Sequence, residues 1–100
     1  MTEGETVKVH KELGVSHRDF FRVLPRVLEG RPHRMEGTRI LVDEEGRSLE
    51  IHISEEQQRK LGPLVSLPFT HVDLTFTGYS ESDRTTFLAV FDINFFKGGG

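Results

Sequence analysis

The segment Thr38–Ile53 constrains the fold of this chain more than any other. Apolar residues recur there at every second position on both sides of an acidic turn ending in Gly46. Side chains alternate across a β-strand, so Ile40, Val42, Leu49, Ile51 and Ile53 share one buried face. Arg39, Glu50 and His52 then fall on the opposite, exposed face. A hairpin with one dry and one wet side belongs in a two-layer α+β domain whose sheet is mainly antiparallel.

Phe69–Thr77 alternates in the same way, with Val72, Leu74 and Phe76 inward and His71, Asp73 and Thr75 outward. Thr6–His10 reads as a short edge strand, and Leu64–Pro68 as a connector. From Ser16 to Glu29 the period becomes helical. Phe20, Phe21, Val23, Leu24, Val27 and Leu28 form one side of that helix, and Arg18, Arg22, Arg26 and Glu29 the other. Ser16 is suited to cap its start, Gly30 to end it, and Pro25 sits on its polar face.

Ser54–Leu61 has a cap residue, early acids and late bases, which predicts a short second helix ended by Gly62–Pro63. In the last segment Phe87, Ala89, Phe91, Ile93 and Phe95 alternate like a strand. Yet Ser80 to Asp83 resembles a capping box, and Phe87, Phe91 and Phe95 also repeat at helical spacing. A helix over 80–97 is the expectation, with a C-terminal strand as the alternative. The first six elements follow the ferredoxin-like order β-α-β-β-α-β, with the helices on one face of the sheet. Residues 1–100 read as a single domain, with 1–5 and 98–100 expected to be disordered ends.

Composition narrows the chemistry. The chain has 100 residues, 35% of them hydrophobic and 29% charged, and no cysteine. A disulfide framework, a thiolate metal site and a Cys nucleophile are thereby excluded. The longest apolar runs are too short to span a bilayer, and residues 1–6 lack the basic and apolar parts of a signal peptide. A cytoplasmic address is the default expectation. Net charge is −3, but Val7–Arg34 holds seven Lys/Arg against three acids and Met35 onward six against eleven. The N-terminal part should therefore be basic.

Within it, Arg18, Arg22 and Arg26 stand four residues apart on one helical face. That row suits carboxylates or phosphates of a partner, with Arg31, Arg34, His17 and His33 able to extend it. Nucleic acid is a poor match: net charge is negative, and the outer sheet face offers no aromatic on which bases would stack. Among five histidines, His52 and His71 can be neighbours on that face beside Asp73, a grouping that suits a metal ion, an acid–base pair or ordinary cross-strand pairing. No cofactor motif is present.

Phe96–Lys97–Gly98–Gly99–Gly100 resembles the tail of ubiquitin-like sulfur carriers, which end in an exposed Gly-Gly. That resemblance implies activation of the terminal carboxylate and makes Gly99 and Gly100 candidate site residues. The order of elements departs from that family's β-grasp, whose hairpin precedes its helix. A helical end would also leave some of Val90, Ile93 and Phe96 uncovered, favouring a homodimer or another protein partner. The leading functional expectation is thus a non-catalytic accessory or regulatory protein acting through protein contacts.

Overall fold

The computed structural model describes residues 5–97. The elements in chain order are β1 (Thr6–Leu13), α1 (His17–Leu28), β2 (Arg34–Glu36), β3 (Arg39–Glu44), β4 (Arg47–Ile53), β5 (Gln57–Gly62), β6 (Val65–Thr77) and α2 (Glu81–Asp92). A π-helical turn, Ile93–Lys97, continues α2. Every strand pairing is antiparallel, and the main sheet runs β1-β6-β4-β3-β2. The expected frayed ends fall outside the described residues except for Glu5, whose carbonyl accepts the Gly78 N–H.

The alternating hairpin forms as its pattern requires. Ile40, Val42, Leu49, Ile51 and Ile53 are all buried, joined by Val72, Leu74 and Phe76 from β6. Both helices cover this face, α1 through Phe20, Val23, Leu24, Val27 and Leu28, and α2 through Phe87 and Phe91. The π turn brings Phe95 onto Phe20, with ring centroids 5.1 Å apart and planes within 14°. Ser16 and Ser80 each accept the N–H three residues on, from Asp19 and Asp83. Residues 80–97 are therefore helical, and the strand alternative does not form.

The ferredoxin-like order does not form either. The predicted helix over Ser54–Leu61 is instead a three-residue link followed by β5. Leu61 is the only large apolar residue in that stretch, so a helix there has no stripe to bury, and eight residues alone are marginal. Its helix-like acids do meet a helix N-terminus, but that of α1: Glu56 accepts the His17 backbone N–H at 2.8 Å. Leu64–Pro68, expected as a connector, is mostly the start of β6, and Arg34–Glu36 adds β2 beside β3. Beyond α1 the chain crosses to β2 at the far edge, and β6 later inserts between β4 and β1.

Candidate functional site: a projecting hairpin arm

β4, β5 and β6 form one long hairpin with an irregularity in its middle. Ile53 pairs with Val72 and Gln57 with Phe69, so three residues on one side face two on the other. That extra residue is a β-bulge, and it exchanges the faces that odd-numbered residues occupy. Before it, Leu49, Ile51 and Ile53 point into the core. After it, Gln57 and Arg59 lie opposite Phe69 and Leu67, on the outer face that also carries His71 and Asp73.

β1 accompanies β6 only as far as the Leu13–Thr70 pair. Beyond that point β5 and residues 65–69 form a two-stranded arm, turning at Pro63–Leu64. The molecule measures 54 × 25 × 22 Å, and its radius of gyration of 14.5 Å exceeds the roughly 13 Å of a compact 100-residue domain. The arm carries Leu61, Leu64, Val65 and Leu67 at 60%, 96%, 50% and 52% exposure. No larger group of residues this apolar and this exposed occurs among the described residues. In the turn that follows α2, Ile93 and Phe96 are exposed too, while Val90 is half-buried.

The root of the arm is firmly held. His17 Nε2–H donates to the Ser54 carbonyl at 2.7 Å, and Thr70 Oγ–H to the Val15 carbonyl at 3.0 Å. Ser54 and His71 bond to each other twice, through the Ser54 N–H and the Ser54 hydroxyl. Arg59 reaches across β6, lies 4.5 Å above the Phe69 ring and pairs with Glu12 of β1. Between Glu12, Gly14, Arg59, Leu61, Leu67, Pro68 and Phe69 lies a hollow of about 300 Å³. Leu61, Leu67, Pro68 and Phe69 supply its apolar walls, and the Arg59–Glu12 pair its polar one.

The bonds of His71 toward Ser54 show that odd-numbered residues of β6 turn their backbone groups to the β4–β5 side. Even-numbered residues face the other way. Pro68 therefore stands on the edge that β1 has left, where it offers no N–H. A proline there blunts strand addition on that edge.

Next to the arm, on the same outer face, His10 Nδ1–H donates to Asp73 at 2.7 Å. His10 Nε2 faces His71 Nδ1 at 3.1 Å, with the rings stacked at 5.1 Å. Because a carboxylate only accepts, Asp73 sets the His10 tautomer, and one proton lies between the two facing nitrogens. His10 is the member that sequence reasoning missed. Thr6–His10 reads as an edge strand, and nothing local says that this strand lies beside β6. His52 stands opposite Asp73 on the other side. Among the described residues no group of three or more His, Asp or Glu is placed to hold a metal ion. The Ser54 hydroxyl, which accepts the His71 N–H, donates to the Glu55 carbonyl.

Arg18, Arg22 and Arg26 are all exposed on the outer side of α1. Arg22 pairs with Asp19 at 3.2 Å, whereas Arg18 and Arg26 make no ion pair with a described residue. Their expected extension is engaged elsewhere: Arg31 with Glu44, Arg34 with Glu36 and Asp43, His17 with Ser54, and His33 with the Arg31 carbonyl. Gly99 and Gly100 lie outside the described residues. Among the described residues no helix is long and apolar enough to cross a membrane. Compared with known families, curated proteins and solved structures, the chain matches none.

Proposed function

We propose that this protein is a small non-catalytic accessory protein that acts through protein–protein contacts, and that the β5–β6 arm is its contacting element. The observation that carries the reading is the exposure of Leu61, Leu64, Val65 and Leu67 together on a hairpin whose root is pinned. Apolar side chains gathered on one projection lose contact with water only when something else covers them. A held root reduces the ordering cost of docking. The arginine row of α1 supplies a second, polar contact, with Arg18 and Arg26 free to meet a partner's carboxylates.

The test is differential capture with immobilised protein. Leu64→Asp/Leu67→Asp should lose partners that the wild type retains, with an unchanged circular dichroism spectrum and melting midpoint. Arg18→Glu/Arg22→Glu/Arg26→Glu should weaken the same capture and reduce its salt dependence. Identical retention by the wild type and the arm variant sinks the assignment to the arm.

A further inference from the structure

Resting on that reading, we infer that the arm docks face to face on the arm of a second copy of this chain, tip against root. The tip presents Leu64 at 96% exposure. The root presents the hollow of about 300 Å³ walled by Leu61, Leu67 and Phe69. Knob and hole belong to one ribbon, about five residues or 17 Å apart along β6. A two-fold axis near Leu67 places each tip over the other root and makes every contact twice.

Two further features favour a like partner. Arg59 is matched by Glu12, so the outer face of the root holds a neutralised pair and two copies meet without like-charge repulsion. Pro68 blunts the open β6 edge of the arm, so strand addition there does not compete with docking on the face. The face spans about 20 Å by 10 Å, from a strand of about six residues and two strands side by side. A footprint of about 200 Å² per copy is well below that of a standard specific interface, so the contact is a weak one that forms and dissociates with concentration.

Sedimentation velocity over rising concentration should show a monomer passing into a dimer, and Leu64→Asp should hold the chain monomeric at each concentration. Register is read by disulfide trapping, which is clean because the chain has no cysteine. Gly14 lines the hollow and has open space where a Cβ would stand, so Gly14→Cys is tolerated. In Gly14→Cys/Leu64→Cys the two sulfurs of one chain are about 17 Å apart, beyond the roughly 7 Å that a disulfide spans. Oxidation should therefore yield covalent dimers, and mixing the two single variants should yield the heterodimer. A wild type that stays monomeric without trapping overturns self-docking, as does a dimer that survives Leu64→Asp. If capture of another protein is nevertheless lost in Leu64→Asp/Leu67→Asp, the arm reading stands while the second-copy occupant falls. If no measurement responds to the arm variants, both fall.

Discussion

Gly78 follows β6 with φ of +79°, and a Cβ built on it would lie 2.5 Å from the Gly46 carbonyl oxygen. Gly46 is itself left-handed, at the turn joining β3 to β4. Two tight turns thus meet backbone to backbone at the end of the sheet remote from the arm. Gly78→Ala should cost about 1–3 kcal/mol, from the left-handed backbone and the displaced turn together. Urea unfolding measures it, and an unchanged midpoint would refute the contact. Gly46 could be read from the sequence as a turn, because alternating strands flank it. Gly78 could not, since its demand comes from Gly46, far away along the chain.

Among elements, β5 shows most clearly how a local pattern loses to its surroundings. Its helix-like charges are present, but charge placement contributes only tenths of a kcal/mol to about 1 kcal/mol per group. The first half of β6 offers unpaired backbone groups along a whole strand, and β5 satisfies them. The arm so formed depends on its root. Arg59→Ala removes both the stack on Phe69 and the pair with Glu12. Amide exchange should then quicken across Gln57–Gly62, while β4 amides and the melting midpoint stay as in the wild type. Undiminished protection in β5 would show that the backbone ladder alone holds the arm. The two real helices were legible because each combines a serine cap with apolar groups at helical spacing, and both signals are local.

Across the whole molecule, one charged cluster ties the layers at the end opposite the arm. Glu44 lies 3.5 Å from Arg31, just past α1, and 2.8 Å from Arg47 of β4, and accepts from the Tyr79 hydroxyl at 3.2 Å. Arg47 also pairs with Asp83 at the start of α2 and lies 4.4 Å above the Tyr79 ring. Burial works against the Glu44 charge, but the Arg47 hydrogen bond and charge, the Tyr79 hydroxyl and the Arg31 charge outweigh it and hold its carboxyl below the usual range. Burial and the neighbouring Glu44 charge push the Tyr79 hydroxyl up. A depressed carboxyl contributes stability above its unfolded value and loses it as pH falls through the folded value. Urea midpoints should therefore fall in acid below the ordinary carboxylate range, and Glu44→Gln should flatten that fall while lowering the midpoint at neutral pH. An acid limb of equal steepness in Glu44→Gln would place the dependence elsewhere. By itself the sequence determined which residues of the β3–β4 hairpin and of Val72–Phe76 are buried, where two helices begin, and that the sheet has one wet face, because strand and helix periods record burial locally. Only the tertiary structure decided that β6 lies between β1 and β4, that His10 meets Asp73, and that a hairpin outruns its neighbours. Those facts depend on which distant strand reaches β6 and where it stops, and no local period carries that distance.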